Sequence, residues 1–317
     1  MKISLMIEGM GGLTWPRWQK MAAATEELGF ATLYRSDHFT MPAPPDLDSL
    51  ELIVSLAYLA GNTTRIQFGP LVAPLSFRDP IMLARQAMAL DDLSSGRMIL
   101  GIGAGWQERE HAMFGYPLDD PATRFARFEE GVEVIAKLIR NAEPFNFEGR
   151  FYHLRGAHLL PRPARLTPIL LGGSGPKRTL PLVARFADIW NAPGASPESF
   201  ARSNALLNEL LIKNGRKPGD VMRSVMFPAL CWRDEAEREE RLRFLRGPIA
   251  PFAGKTDADL LAYFTHDLSA IIGSPEVIIQ QIRDYAAAGA QEAVVQWWGI
   301  DDLRGLEMFA EQIMPHV

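Results

Sequence analysis

Residues 95–106, SGRMILGIGAGW, join a short apolar run, Met98–Gly103, to a segment of small residues. Further along the chain, Phe125, Phe128 and Val132 recur at spacings of three and four, the period of an amphipathic helix. A short strand followed by a longer helix is the repeating unit of α/β proteins. This stretch therefore predicts one such βα unit.

The same unit recurs along the whole chain. Helix-patterned segments separate eight candidate strands: Ile3–Glu8, Ala31–Ser36, Arg65–Val72, Met98–Gly103, Pro168–Leu171, Asp188–Asn191, Val221–Cys231 and Glu292–Trp297. No shift in composition and no flexible linker divides residues 1–317. Eight βα units without a boundary predict a single-domain (β/α)8 TIM barrel.

Two insertions and one charged segment interrupt this repeat. Residues 145–164 place a Glu-Gly pair between aromatic runs, which predicts a β-hairpin and a proline-bounded loop. Residues 247–272 mix proline, glycine and aromatic residues, which indicates a lid or part of the substrate mouth. In residues 233–246, Glu237 stands four residues before Arg241, a spacing that favours a solvated helix face.

Composition limits the classes of function. The 317 residues are 47% hydrophobic and 22% charged, with a net charge of -5, as in an ordinary globular protein. Phosphate backbones are held by a surplus of Lys and Arg, so we expect no nucleic-acid partner. The absence of a signal-peptide pattern and of a long apolar window predicts a cytoplasmic protein without membrane contact.

Metal and thiol chemistry are not indicated. The six histidines include no H-E-x-x-H motif, and Glu110-His111 is interpreted as a surface pair instead of a ligand set. The single cysteine, Cys231, lies at the end of the seventh predicted strand and is expected to be buried and structural.

The loops after the carboxyl ends of the strands carry the chemistry of a TIM barrel. The second predicted strand ends in Ser36-Asp37-His38-Phe39, which sets an acid beside an imidazole. Two interpretations stay open for this pair. It could cap or pack a helix, or His38 could donate to, or stabilise charge on, a reduced cofactor and its substrate.

Glycines mark the next two strand ends. Gly69-Pro70 inside the third strand implies a distorted end, either a bed for a flat ring or a plain strand terminator. Gly103, Ala104 and Gly105 follow the fourth strand. Their spacing does not match the G-x-G-x-x-G dinucleotide fingerprint, so small residues are expected here because a ligand approaches the backbone closely.

The strongest local pattern follows the fifth strand, where glycines precede a helix. Free backbone N–H groups, the positive helix N-terminus and nearby polar side chains together predict a phosphate cradle, with a simple tight turn as the alternative. The segment lacks the G-K-[ST] ending of a P-loop, so nucleotide hydrolysis is not implied. Its residues are Gly172, Gly173, Ser174, Gly175, Pro176, Lys177 and Arg178.

Together these motifs resemble the bacterial luciferase-like family of TIM barrels, and more closely its branch that uses the deazaflavin coenzyme F420. The resemblance covers nearly the whole chain. It rests on SDHF at 36–39, SGRMILGIGAGW at 95–106, GGSGPKRTL at 172–180 and ADIWN at 187–191.

The resemblance implies where the cofactor binds. Its phosphate would lie over residues 172–177, and its ring would rest near Leu71 and Val72 on a bulge that contains a non-prolyl cis peptide. By position that peptide is Leu71-Val72, with Gly69-Pro70 as the rival. The remaining cofactor contacts would come from Asp37, Gly103, Ala104, Gly105 and Arg178.

The resemblance also implies the chemistry. His38 matches the histidine that lies beside the hydride-carrying carbon in several deazaflavin dehydrogenases of the family. Those enzymes tend to carry a tryptophan shortly after it and a glutamate after the fourth-strand glycines, where this chain has Pro42 and Trp106. The difference argues against a sugar-phosphate or alcohol dehydrogenase of that subgroup and leaves Glu108 or Glu110 as candidate proton donors.

We therefore predict an F420-dependent oxidoreductase that moves a hydride between the deazaflavin and a small organic substrate, with His38 as the catalytic residue. Two alternatives remain: an FMN-dependent monooxygenase of the same fold, and a non-catalytic barrel that binds a flavin or merely forms dimers. The resemblance further implies a homodimer.

Overall fold

The computed structural model describes residues 1–246, 252 and 254–317. The strands are β1 (Lys2–Ile7), β2 (Thr32–Arg35), β3 (Gln67–Pro70), β4 (Ala73–Pro74), β5 (Leu100–Gly103), β6 (Phe145–Glu148), β7 (His153–Ala157), β8 (Ile169–Gly172), β9 (Ile189–Pro193), β10 (Met222–Cys231), β11 (Ile271–Gly273) and β12 (Glu292–Trp297). The helices are α1 (Trp15–Glu27), α2 (Leu52–Asn62), α3 (Pro80–Leu93), α4 (Glu108–Phe114), α5 (Pro121–Arg140), α6 (Thr179–Phe186), α7 (Pro197–Lys213), α8 (Glu235–Leu245), α9 (Asp257–Ala262), α10 (Pro275–Ala287) and α11 (Leu303–Gln312).

Parallel strands form the predicted barrel. They pair in the order β3-β2-β1-β12-β10-β9-β8-β5-β4, and β4 continues the line of β3 after a break at residues 71–72. The ring closes where Phe68 bridges to Met98 and the Ile99 N–H donates to the Phe68 carbonyl oxygen at 2.8 Å. Counting β3 and β4 as one, eight strands enclose the barrel, so the (β/α)8 prediction is confirmed.

Side chains alternate between the two faces of each strand and so form two apolar layers, one inside the barrel and one between the barrel and the helices. Leu5 and Leu33 face outward into the core between barrel and helices, whereas Met6, Tyr34 and Leu170 fill the interior. Each fully buried side chain of this size contributes about 1.5–3 kcal/mol to stability. Because the interior is filled, a ligand can bind only at an end of the barrel.

The third strand differs from its prediction. Arg65–Val72 was predicted as one strand, but the ladder runs only from Gln67 to Pro70 and resumes at Ala73. The peptide bond between Leu71 and Val72 is cis, which breaks the regular pairing between the two pieces. The predicted cis peptide is thus confirmed at this bond, and the rival at Gly69-Pro70 is wrong.

Both predicted insertions, residues 145–164 and 247–272, interrupt the alternation of strand and helix. In the first, β6 and β7 pair antiparallel as the expected hairpin. In the second, residues 247–251 and 253 lie outside the described residues, and the others include α9, a π-helical turn at Tyr263–Asp267 and β11. The sequence did not predict β11, because three residues beside the end of β10 are too few to show alternation.

The charged segment at 233–246 is a solvated face only in part: Glu239 and Arg243 are exposed as predicted, but Glu237 and Arg241 are buried. Glu237 accepts from Arg233 Nε at 2.8 Å, and Arg241 is buried and donates to Asp302 at 3.0 Å. Asp302 also caps α11 by accepting from the Gly305 N–H. The predicted Glu237–Arg241 pair is therefore wrong, because a buried guanidinium requires a buried acceptor and finds it across the fold.

Cys231 is fully buried in β10, as predicted, and burial raises the pKa of its thiol to about 12. A thiol in this state is unreactive at neutral pH. Within the described part of the chain, no helix is long and apolar enough to cross a membrane.

Candidate active site

The carboxyl ends of the strands bring most of the predicted site residues to one rim of the barrel. Val72 lies between two of the glycine segments: a Cβ on Gly103 would overlap its side chain, and a Cβ on Gly172 would come within 3.7 Å of its Cγ1. Glycine at these positions keeps the backbone open beside the cis peptide. The result is a bed of small residues at the rim.

His38 stands at the same rim and is bound to Glu110. The two carboxylate oxygens lie 3.0 and 3.2 Å from the imidazole Nδ1, and one of them also accepts from the Phe39 N–H at 3.1 Å. Glu110 is only 1% exposed. Trp106 approaches the imidazole edge-on, with 5.6 Å between ring centroids.

The surroundings of His38 favour its protonated form. Burial acts to lower the pKa of the imidazole, but the hydrogen bond and charge of Glu110, with smaller contributions from Glu8 and Asp37, outweigh burial and raise it above its usual value of 6.5. A carboxylate can only accept, so Nδ1 carries a hydrogen. Among the described residues Nε2 has no hydrogen-bond partner, so it is free to exchange a proton.

Asp37 is held by an arginine. Arg78 donates to its two carboxylate oxygens at 2.5 and 2.9 Å and also to Glu51 at 3.0 Å. Burial lowers the pKa of Arg78, but the two carboxylates more than compensate and keep the guanidinium charged. This network ties the loop after β4 to the loop after β2 and so fixes the backbone that carries His38. A cofactor contact by Asp37 stays a prediction.

Sequence reasoning missed Glu8 at the end of β1. Every second side chain of a strand points to the same face, and in β1 Ser4 and Met6 point to the barrel interior. The same period places Glu8, two residues further on, at the mouth of the barrel. Gln296 of β12 donates to its Oε1 at 2.6 Å. The charge of this carboxylate contributes to the raised pKa of His38.

In the predicted phosphate cradle, residues 172–178, the structure has the expected turn before a helix and two N–H groups available to a ligand. Gly173 adopts a left-handed φ of 111° and donates to the Asn191 carbonyl oxygen, and the Gly175 carbonyl oxygen accepts from Leu180 in α6. Among the described residues the N–H groups of Ser174 and Gly175 have no acceptor. These groups stand just before a helix N-terminus, which suits an anion.

The two basic residues of this segment are not equivalent. Lys177 is exposed, whereas the Arg178 guanidinium lies over the Phe125 ring at 5.3 Å and donates weakly to the Pro121 carbonyl oxygen of α5. Arg178 thus turns toward α5, and Lys177 stays available to a ligand.

Glu110 and His111 are not a surface pair, so that interpretation is wrong. Each is 1% exposed, and His111 donates from Nδ1 to the Gln107 carbonyl oxygen while its Nε2 lies 2.8 Å from Ser76 Oγ. They lie on the buried face of α4, which packs on the loops after β2 and β4. No local pattern reveals this burial, because the partner of Glu110 is 72 residues away.

Two cavities flank Phe77 and Arg78. One, of about 310 Å³, is lined by His38 together with Phe39, Ser49 and Tyr116. The other, of about 290 Å³, reaches Ala104 after β5 and is bounded by residues of α5. Cavities of this size suit small organic molecules, and the first gives such a molecule access to His38.

The comparisons with known proteins agree on a family. A family model described as luciferase-like monooxygenase matches residues 7–292. An F420-dependent glucose-6-phosphate dehydrogenase from Kineococcus radiotolerans is 28% identical over 309 residues, which cover 93% of this chain and 90% of the relative.

Solved structures share the fold. An F420-dependent secondary alcohol dehydrogenase in complex with an F420-acetone adduct superposes with a TM-score of 0.81 at 20% identity, covering 100% of this chain and 99% of the other. A riboflavin lyase with modified FMN and riboflavin gives 0.80 at 17% identity, covering 99% and 90%. At these identities the likeness establishes the barrel architecture alone.

Proposed function

This chain belongs to the luciferase-like monooxygenase family, and from that premise we propose that it is an F420-dependent oxidoreductase. It transfers a hydride between the deazaflavin and a small organic substrate. The observation that carries the proposal is the His38 imidazole, whose Nε2 has no partner within the described part of the chain, held at the barrel rim beside the small residues around Val72. The F420-dependent relatives support the choice of cofactor.

The residues of the rim fit a flat cofactor with a phosphate. Leu71 and Val72 would support its ring, and glycine is required at Gly103 because a Cβ there would overlap Val72. The segment 172–177 would hold the phosphate through N–H groups and Lys177. When bound, the deazaflavin supplies the carbon that gives or takes the hydride.

His38 handles the proton that accompanies the hydride. When an alcohol is oxidised or a carbonyl is reduced, a proton must leave or join the substrate oxygen. Nε2 of His38 can accept it, and the protonated ring can return it, while Nδ1 stays bonded to Glu110. A substrate in the cavity of about 310 Å³ would contact this nitrogen.

The substrate differs from those of the family's sugar-phosphate and alcohol dehydrogenases. Pro42 and Trp106 replace the tryptophan and glutamate that those enzymes tend to carry. Trp106 is largely exposed beside the His38 ring, so it adds an apolar surface to the rim where the tryptophan replaces a carboxylate. These replacements favour a less polar substrate than a sugar phosphate.

The protein acts as a cytoplasmic homodimer without a nucleic-acid partner. Val54 of α2 and Met82 of α3 are about half exposed although both are apolar, which supports association through these two adjacent helices. The net charge of -5 is unfavourable for polyanions, and the unpaired Cys231 fits a reducing compartment.

Titration of the protein with oxidised F420 and with FMN, followed by tryptophan fluorescence, tests the proposal. We expect F420 to bind at least about tenfold more tightly than FMN, a difference of about 1.4 kcal/mol. His38→Ala is the control, because it should retain cofactor binding. Preference for FMN would instead support the monooxygenase alternative, and binding of neither would support a non-catalytic barrel.

A further inference from the structure

We propose that Glu110 is a positioning residue for His38: it holds the imidazole, which lines the substrate cavity, in the tautomer that leaves the lone pair on Nε2, and it stabilises the ring when it is protonated. The inference deepens the proposed function, on which it rests, because that function gives His38 the task of moving the proton.

The contact geometry fixes the tautomer. Glu110 places its two carboxylate oxygens 3.0 and 3.2 Å from Nδ1. An ionised carboxylate has no hydrogen to donate, so the bond forms only if Nδ1 carries one. The neutral ring then has its lone pair on Nε2, on the side away from Glu110.

If Glu110 only anchored the loop after β2, it would not need to contact the imidazole of His38. The bond from the Phe39 N–H to Glu110, 3.1 Å long, is sufficient to anchor the loop after β2. The approach of both oxygens to Nδ1 does more than join the same two segments, because it also determines the orientation of the ring. Trp106, edge-on to the same ring, restricts its rotation further.

Glu110 itself is not placed to deliver a proton to substrate. It is 1% exposed and does not line the cavity that His38 reaches. Glu108, the other candidate donor, is exposed on the opposite side of α4. Proton exchange with a molecule in the cavity therefore passes through Nε2 of His38, and Glu110 acts through the imidazole.

The charged groups that face His38 come from several elements. Glu110 contributes from α4, Glu8 from the end of β1, and Asp37 from the same loop as His38. Arg78 largely neutralises Asp37, and Glu8 is bonded to the neutral amide of Gln296. Among the residues that the structure describes, only Glu110 bonds directly to the imidazole, so removing its charge should have the largest effect on the pKa of His38.

Nitrogen NMR of the histidine rings in the full-length, cofactor-free protein tests this role. The His38 signals are assigned by their loss in His38→Ala. In Glu110→Gln we expect the pKa of His38 to fall to about 6.5 or below, and the share of the Nδ1–H tautomer to decrease. In Glu108→Gln, the matched control from the same helix, both quantities should stay at their wild-type values.

Glu110→Asp provides a second, charge-conserving variant. It should keep the pKa of His38 above that of Glu110→Gln, and it supplies the comparison if Glu110→Gln does not fold. An unchanged pKa and tautomer in Glu110→Gln would overturn the proposal, since a residue that only anchors Phe39 would leave both untouched. Because no cofactor is present, failure of F420 to bind would reject the proposed function separately.

Discussion

The barrel carries a buried glutamate near each end, and their surroundings differ. Glu292 lies near the amino ends of the strands, where Ser4 Oγ donates to it at 2.6 Å and, among the described residues, its Oε2 has no partner. Burial raises its pKa, and the pKa of the nearby Tyr34 is raised as well. Glu110, at the carboxyl rim, has an imidazole as partner.

The difference distinguishes a structural carboxyl group from one suited to proton chemistry. For a buried glutamate surrounded by hydroxyl groups, burial opposes ionisation and favours the neutral form. A glutamate bonded to an imidazole can remain charged and stabilise a proton on its partner. Both are equally buried, so burial alone does not identify the functional end of the barrel.

The largest expected effect comes from His38→Ala. Loss of a general acid–base residue lowers turnover about 10²–10⁴-fold. Cofactor affinity should change little, because the contacts proposed for the cofactor ring and phosphate come from other residues. The measurement is the deazaflavin absorbance change with a substrate from a screen of alcohols and ketones. His153→Ala, in the exposed hairpin, should retain full activity. Undiminished turnover in His38→Ala would refute the catalytic role of His38, and with it the role of Glu110 as its partner.

Gly103→Ala is expected to have the next largest effect. The added Cβ would overlap the Val72 side chain and displace it from the position where we expect it to support the cofactor ring. The affinity for F420 should therefore fall about tenfold or more. Gly172→Ala is the matched variant, since its Cβ meets Val72 at an ordinary contact distance of 3.7 Å. Fluorescence titration of both variants measures the difference. Equal affinities would mean that the ring binds elsewhere.

Glu292→Gln should change stability instead of activity. The folded pKa of Glu292 lies above its unfolded value, so stability is lost as pH rises through the interval between them, and the cost persists above it. A neutral amide avoids that cost. The free energy of unfolding should therefore exceed that of wild type by about 1 kcal/mol at pH 8, and the excess should shrink toward pH 4.5.

Urea denaturation at several pH values measures this effect. Glu307→Gln, which replaces an exposed glutamate on α11, is the control and should leave the pH dependence unchanged. If Glu292→Gln is less stable than wild type at pH 8, the carboxylate at this end of the barrel is bound more favourably than its hydroxyl surroundings indicate.

The smallest expected effect is at the phosphate cradle. Lys177→Ala should weaken F420 binding about threefold at low salt, and less at high salt, because an exposed ammonium contributes a screened charge. Arg178→Ala should weaken it less, since that guanidinium lies over Phe125. Titrations at two salt concentrations compare the variants, and a larger loss for Arg178 would show that the side chain turns toward the ligand on binding.

Much of the fold was predictable from local patterns. The alternation of short apolar runs with helical periods predicted eight strands, and Glu292–Trp297 has the predicted bounds. The third strand was only partly correct, because apolar periodicity does not register an interruption of the ladder at Leu71-Val72. The strand β11 was missed because its pairing with β10 is set by distant residues.

The sequence by itself determined the barrel, and it predicted His38 and the glycine segments at the carboxyl rim, where we propose that the chemistry takes place. Those features depend on residues close together in the chain, and local propensity and alternation encode them. Only the tertiary structure decided that Glu110 is buried against His38 and that Arg78 donates hydrogen bonds to the Asp37 carboxylate. Such pairings depend on how α4 and the loops pack over the closed barrel, which no local pattern specifies.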